Sequence, residues 1–331
     1  MTEPRYDVLG VGNAIVDVLA QASDAFLEEH SIDKGGMILI DEARADSLYE
    51  AMAPGVEISG GSAANTIACL ASLGGRGAFI GKVFDDQLGA VYRHDLRALG
   101  VAFDTPAATS GEGTGRCLIQ ITPDAQRSMM TFLGAAGGVS VEDVEEAQVA
   151  DAAIIYFEGY LFEQDAPRKA FVKACEFAAA AGRKRALTLS DSGCVERQHA
   201  AFIDFISANV DVLFANETEA YALAETDDFD AACERLTKLA PFVAVTRSEK
   251  GSVLLTGGER IAVDAVAPEA LEDTTGAGDA YAAGVLYGLA RGLEPSVCGK
   301  LGSISAAEVI SHVGARPRES LKGLATDAGL L

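Results

Sequence analysis

The chain has 331 residues, 49% of them hydrophobic, enough to bury a core in one large α/β domain or two smaller ones. Its 49 acidic and 26 basic residues leave a formal charge of −23, which argues against non-specific binding to nucleic-acid phosphates and otherwise serves solubility. The six cysteines, at 69, 117, 175, 194, 233 and 298, contain no C-x-x-C pair, so the expectation is packed, reduced thiols in a cytoplasmic protein, with neither a zinc site nor a redox motif.

The amino-terminal stretch MTEPRYDVLGVG lacks a basic n-region and a long apolar run, so no signal peptide is expected. No segment reaches the ~18 uncharged apolar residues of a membrane span. In chain order, Tyr6–Gly12 reads as a buried strand ending in glycine. KGGMILIDE (34–42) and GVEISGG read as strands around one short helical stretch. NTIACLASLG (65–74) is a helix closed by glycine, GAFIGKV a strand, and DQLGAVYRHDLRALG a helix. TGRCLIQITPDAQRSMMTFLGAA (114–136) reads as two strands around a turn at Pro123-Asp124-Ala125. AAIIYFEG and RALTLSDS are strands separated by the helix PRKAFVKACEFAAAAG. VDVLFAN is a strand followed by the helical ETEAYALAE; FVAVTRS and GSVLLTGG are strands; two helices, DAYAAGVLYGLARG and VCGKLGSISAAEVIS, follow. The alternation predicts a doubly wound, mostly parallel sheet with helices on both faces. The strands within 13–60 and 101–136 break that rhythm and are expected to form a small β-sheet lid over one edge. No linker, repeat or low-complexity segment divides 1–331, so one domain is expected.

Two nucleotide motifs fail. Gly10 and Gly12 follow the first strand, but Ile15 stands where the third glycine of G-x-G-x-x-G belongs. GGRGAFIGKV has Arg76 and Val83 at positions where a P-loop requires glycine and Ser/Thr. Three other stretches are candidates. In EISGGSAANTIACLASLGG, Gly60 and Gly61 permit close approach, while Ser62 and Asn65 offer neutral hydrogen-bonding groups; Ser62 reads equally as a helix N-cap. In LFANETEAYAL, Asn216, Glu217 and Glu219 follow a strand end, where ligands bind in such sheets; taken alone, helix capping accounts for them. In DTTGAGDAYAAG (273–284), Gly276, Ala277 and Gly278 would present amides at a helix entrance, an anion hole with the Asp279 carboxylate beside it. A base next to an anion site, with neutralised phosphates, meets the main needs of phosphoryl transfer.

GGSAANTIACLASLGG and DTTGAGDAYAAG together resemble the two signatures of the ribokinase-like (PfkB) carbohydrate kinase family, and NETE (216–219) matches its N-x-x-E element. All three occur in the family's order, so the resemblance spans essentially the whole chain. It implies a ribokinase-like fold and ATP-dependent phosphorylation of a hydroxymethyl group. It also implies Mg²⁺ and admits a monovalent cation such as K⁺. By resemblance Asp279 is the base and Gly276, Ala277 and Gly278 the anion hole. Asn216 and Glu219 organise Mg²⁺ through water, and Thr246, Gly251, Thr275, Gly276 and Gly278 join them around the nucleotide. Asp17, Gly60, Gly61, Ser62 and Asn65 hold substrate hydroxyls. Arg127, in the lid hairpin, either reaches substrate or phosphates or is a solvated turn residue. The pattern departs from the family where Ser248 replaces a frequent glycine and Ser192 a frequent proline.

GNAIVD (12–17) is similar to the G-N-x-x-x-D opening of the family's adenosine kinases, which puts Asn13 and Asp17 against a ribose. In YFEGYLF (156–162), Tyr160 either stacks on a base or shares a core-facing strand side with Tyr156 and Phe162. The implied reaction is phosphorylation of the adenosine 5′-hydroxyl. The alternatives are a sugar kinase (ribose, fructose or a keto-deoxy sugar acid) and a catalytically silent binding regulator. Partners are then small molecules, with no nucleic acid and no membrane; monomer and homodimer both stay open.

Overall fold

The computed structural model describes residues 3–124 and 126–331. Ala125, in the expected hairpin turn, lies outside the described residues. In chain order the strands are β1 (Tyr6–Val11), β2 (Ile15–Gln21), β3 (Met37–Leu39), β4 (Val56–Gly60), β5 (Gly77–Ile80), β6 (Gly115–Ile121) and β7 (Arg127–Phe132). Then come β8 (Ala152–Glu158), β9 (Lys184–Thr188), β10 (Val212–Asn216), β11 (Phe242–Thr246), β12 (Ser252–Thr256) and β13 (Glu259–Val263).

They form two sheets. The larger runs β13-β12-β11-β10-β9-β8-β1-β5. Its pairs from β11 through β5 are parallel, and β12 and β13 are added antiparallel at one edge. Buried strands covered on both faces should be apolar at every position. Along β1, Val8 joins one core layer while Leu9 and Val11 join the other; along β8, Tyr156 and Phe157 divide in the same way. The helices Ser62–Ser72 and Ala277–Ala290 pack together against one layer, and Asp165–Ala180 fills the other. The smaller sheet runs β3-β7-β6-β2-β4. All six cysteines are buried and none forms a disulfide. Among the described residues no helix is long and apolar enough to cross a membrane.

Several elements differ from expectation. IVDVLAQ, read only as part of a motif, is β2, a strand inside the small sheet. Its Val16, Val18 and Ala20 are buried, while Ile15, Asp17 and Leu19 alternate to the other face. ERIAV, without a strong pattern of its own, becomes edge strand β13 because the Gly257-Gly258 turn folds it onto β12. HAAFIDFISAN, left unassigned, is a helix. YFEGYLF does not continue as a strand. It leaves the sheet after Glu158 and enters a 3₁₀ turn, Gly159–Glu163. Tyr156 and Phe162 therefore fall in different core layers, and Tyr160 is 40% exposed. The shared core face, one of the two alternatives for Tyr160, therefore does not exist.

Candidate active site

The parallel strands of the large sheet end on one side, where ligands bind in such folds. A cavity of about 600 Å³ lies there, between these strand ends, the start of the helix Ala277–Ala290 and the inner face of the small sheet. Its wall includes Asn13, Asp17, Gly61, Ser62, Asn65, Tyr160, Asn216, Glu219, Thr246, Thr275, Gly276, Ala277, Gly278 and Asp279. Residues from six separate stretches of the chain are thus brought together.

Gly276 is the N-cap of the last-mentioned helix, with φ +80, and a Cβ there would come within 2.6 Å of the Ala315 Cβ. Only glycine fits without strain. The preceding turn is fixed by Asp273, whose carboxylate accepts from Thr275 N at 3.0 Å and Gly314 N at 2.8 Å. Among the described residues no protein group accepts from the amides of Gly276, Gly278 or Asp279. These are the unpaired donors of a helix start, open to an anion.

Asp279 is held from the neighbouring helix. Ser62 donates its hydroxyl to Oδ1 at 2.6 Å, and Asn65 Nδ2 approaches Oδ2 at 3.4 Å. Burial pushes the Asp279 carboxyl up to about 6, against the opposing effect of both bonds and of Arg316. Ser62 is not the N-cap of its helix. Gly61 takes that place at φ +93, which frees the Ser62 hydroxyl for Asp279. Gly60 sits against the Asp17 carboxylate with no room for a Cβ.

Asp17 projects from β2, and burial pushes it up to about 7 despite Arg316 and Arg127. Around it the small sheet presents Ile15, Cys117, Ile119, Met129 and the one polar side chain Thr131 to the cavity, with Leu133 just past β7 beside them. Asn13 donates from both its backbone N (2.8 Å) and Nδ2 (2.6 Å) to Glu158, leaving its buried Oδ1 without a partner among the described residues.

Asn216 and Glu219 form a reciprocal capping box at the start of the helix Glu217–Ala224. Asn216 Oδ1 accepts from Glu219 N at 2.8 Å, and Glu219 accepts from Asn216 N at 2.9 Å and Nδ2 at 2.8 Å. Burial raises Glu219 to about 7. Among the described residues no cluster of three or more His, Cys, Asp or Glu could hold a metal by itself. Mg²⁺ carried on phosphates needs only one or two carboxylates plus waters. Glu219, with Asn216 and Asp191 on the same wall, fits that lesser demand.

Arg127 is neither in a turn nor solvated. It opens β7, its side chain is 11% exposed, and Nη1 pairs with Asp273 at 2.7 Å and approaches Thr275 Oγ1 at 3.4 Å. It therefore ties the small sheet to the glycine turn. Gly251 lies away from the cavity wall, at φ +80 against the backbone of Val263–Ala265, between β11 and β12. Nearby Ser248 has φ +52, a glycine-like conformation that explains the frequent glycine there. Ser192 is the first residue of a helix capped by Asp191, a position that suits proline equally well.

Three residues escaped the sequence reading. Glu158 is fully buried and accepts from Asn13 and from Ala63 N (2.8 Å), pinning β1 to the helix Ser62–Ser72. Asp273 was visible beside the glycines but had no evident task. Arg316 donates from Nε to Asn65 Oδ1 at 2.9 Å. Its surroundings, VGARPRES, carry no motif, and only the fold brings it here.

A carboxylate bonded to a serine, adjacent to free helix-start amides at the floor of a cleft, is the arrangement of a phosphoryl-transfer enzyme. Residues 38–321 match the pfkB family of carbohydrate kinases, and the chain belongs to that family. The structure superposes on adenosine kinase from Sinorhizobium meliloti with a TM-score of 0.91 and 49% identity, covering 98% of this chain and 99% of that one. It superposes equally on a probable sugar kinase protein from Rhizobium etli CFN 42, with a TM-score of 0.92 and 46% identity over 99% and 100% of the two chains. By sequence it is 27% identical over 265 residues to 5-dehydro-2-deoxygluconokinase of Geobacillus thermodenitrificans, covering 76% of this chain and 78% of that one. The protein is a phosphotransferase acting on a sugar or nucleoside, and the family implies ATP as donor.

Proposed function

We propose that the protein phosphorylates the 5′-hydroxyl of adenosine. Asp279 takes the hydroxyl proton as the new O–P bond forms and the bond to the departing ADP oxygen breaks. The free amides of Gly276, Gly278 and Asp279 hold the transferring phosphoryl group; the Ala277 amide, expected to join them, instead donates to Thr274 O at 3.3 Å. Asn216 and Glu219 would hold Mg²⁺ through its waters, and the metal would supply charge neutralisation to the donor's phosphates. Asp17 and the unpaired Asn13 Oδ1 accept from ribose hydroxyls, Tyr160 lies against the base, and the small sheet serves as a lid drawn to the glycine turn by Arg127.

The observation that carries this reading is the apolar sheet face around a single carboxylate, Asp17. A purine has flat apolar surface to place there, and a free sugar has almost none. The likeness to an adenosine kinase over nearly the whole chain supports the same reading. The likeness to 5-dehydro-2-deoxygluconokinase favours a second one, an acidic-sugar kinase. The cavity wall carries six acidic side chains and one arginine, Arg197, which is already paired with Glu163. That balance is unfavourable to an acceptor bearing its own carboxylate. An ADP-release screen over nucleosides, ribose, fructose and keto-deoxy sugar acids tests the choice. Adenosine is expected to lead; a sugar or sugar acid in that place refutes the nucleoside reading, and no ADP release with any acceptor points to a silent regulator.

A further inference from the structure

The loop that follows the helix Pro295–Val309 carries Arg316 beneath the site. That loop is anchored on both sides of it. Asp273 accepts from Gly314 N, and Glu308 accepts from Arg318 N at 2.8 Å and Glu319 N at 2.9 Å. Arg316 therefore cannot readily retract. Its Nε is bonded to Asn65 Oδ1, and its buried Nη2 has no partner among the described residues.

Asn65 has one accepting and one donating end, while a guanidinium only donates. With Oδ1 turned to Arg316, Nδ2 must face Asp279. The opposite flip would set NH₂ against guanidinium and carbonyl against carboxylate, both repulsive. We propose that Arg316 is a positioning residue for phosphoryl transfer, fixing the Asn65 amide so that it donates to Asp279 and supplying the buried positive charge that keeps the Asp279 carboxylate ionised. This rests on Asp279 being the base.

The charges around this relay make the arginine's effect specific. Arg316 faces Asp17 of β2, Tyr92 and Asp95 of the helix Gln87–Ala98, and Cys69 of the helix Ser62–Ser72. Asp279 shares the site with the carboxylates of Asp17, Glu158 and Glu219, each of which the Asp279 charge pushes further toward its neutral form. Arg127 acts on Asp17, and Arg316 acts on both Asp17 and Asp279. Removing Arg316 leaves burial of the base opposed only by its hydrogen bonds to Ser62 and Asn65.

Two variants separate the two tasks. Arg316→Gln loses the charge and retains a donor for Asn65. Arg316→Lys retains the charge and loses the planar fork that fixes the amide. The readouts are kcat/KM against pH with adenosine, or with the best acceptor of the screen, and the Asp279 carboxyl titration followed by ¹³C NMR on the ligand-free protein. In Arg316→Gln the acid limb and the carboxyl titration are both expected to move up by about one pH unit or more. In Arg316→Lys the limb stays in place while kcat falls about tenfold with KM little changed. A residue that merely ties down the loop would lower stability, or activity at every pH alike. A folded Arg316→Gln with an unmoved limb and titration overturns the charge role, and Arg316→Lys with wild-type kcat overturns the orienting role. Should the glutamine variant not fold, the lysine variant still decides the orienting role, and an acid limb displaced in that charge-retaining variant would overturn the charge role. The NMR titration does not depend on turnover, so if Asp279→Asn remained active the base assignment would fail separately from this one.

Discussion

The two walls of the cavity are built differently. On the floor, Asp279, Ser62, Asn65, Arg316, Asn13 and Glu158 are linked by hydrogen bonds of 2.6–3.4 Å drawn from separate stretches of the chain. On the small sheet, one carboxylate stands in a largely apolar face, and the Arg127–Asp273 pair ties that sheet to the glycine turn. A bonded network fixes atoms for chemistry, whereas an apolar face with a lone acceptor discriminates between ligands and permits movement. In the proposed function, reaction belongs to the floor and selection to the sheet, so substitutions on the two sides should fail in different ways.

The largest loss is expected on the floor. Asp279→Asn keeps shape and removes the proton acceptor, so kcat should drop by ~10²–10⁴ with ATP binding and melting temperature nearly unchanged. Single-turnover kinetics check this, and near wild-type kcat would return Asp279 to the role of a helix-start charge. On the sheet, Asp17→Asn should lower kcat/KM for adenosine by about 10–100-fold, because hydroxyls bonded to a charged acceptor lose ~1–3 kcal/mol. It should also narrow the gap between adenosine and 2′-deoxyadenosine. An equal loss for both nucleosides would move Asp17 from selection to chemistry.

These contrasts were unequally legible in the sequence. Gly276-Ala277-Gly278-Asp279 is contiguous, and its helix position follows from local pattern, so the anion site could be read directly. Glu158 could not, because a glutamate ending an apolar strand acquires meaning only when Asn13, 145 positions away, is seen to depend on it. Arg316 lies 251 positions from Asn65 in a loop without periodicity. β2 was missed because its aspartate interrupts an apolar run, which reads as motif chemistry instead of as one face of a strand whose other face is buried.

Metal use comes next in size. Glu219→Gln should raise the Mg²⁺ needed for half-maximal rate several-fold more than it raises the adenosine KM, since the amide removes charge from the metal's waters. An unchanged Mg²⁺ titration would leave Glu219 as a cap only. The pH dependence separates function from stability more gently. Asp279 (about 6), Asp17, Glu158 and Glu219 (each about 7) have folded pKa values above the ordinary carboxylate range because burial disfavours their charge. The folded protein therefore holds their protons more tightly than the unfolded chain. The stability they contribute is full below the unfolded values near 4 and is lost as pH rises through about 6 to 7. The ligand-free protein should melt at a higher temperature at pH 5.5 than at pH 8, while kcat/KM falls about tenfold per pH unit below the Asp279 pKa of about 6. Calorimetry and rate profiles on the same sample check the opposed trends, and a melting temperature that rises steadily from pH 5.5 to 8 would show the four groups to be better solvated than their burial indicates.

The division between floor and sheet is tested most directly by kcat/KM for adenosine and for free ribose, on the wild type and on Tyr160→Ala. Both acceptors offer a 5′-hydroxyl to the same floor, and only adenosine has a base for Tyr160 and the apolar face. The expected result is a wild-type preference for adenosine of several orders of magnitude, with Tyr160→Ala lowering adenosine use about tenfold and leaving ribose use unchanged. Ribose outperforming adenosine on the wild type, or falling as far as adenosine in the variant, would contradict it.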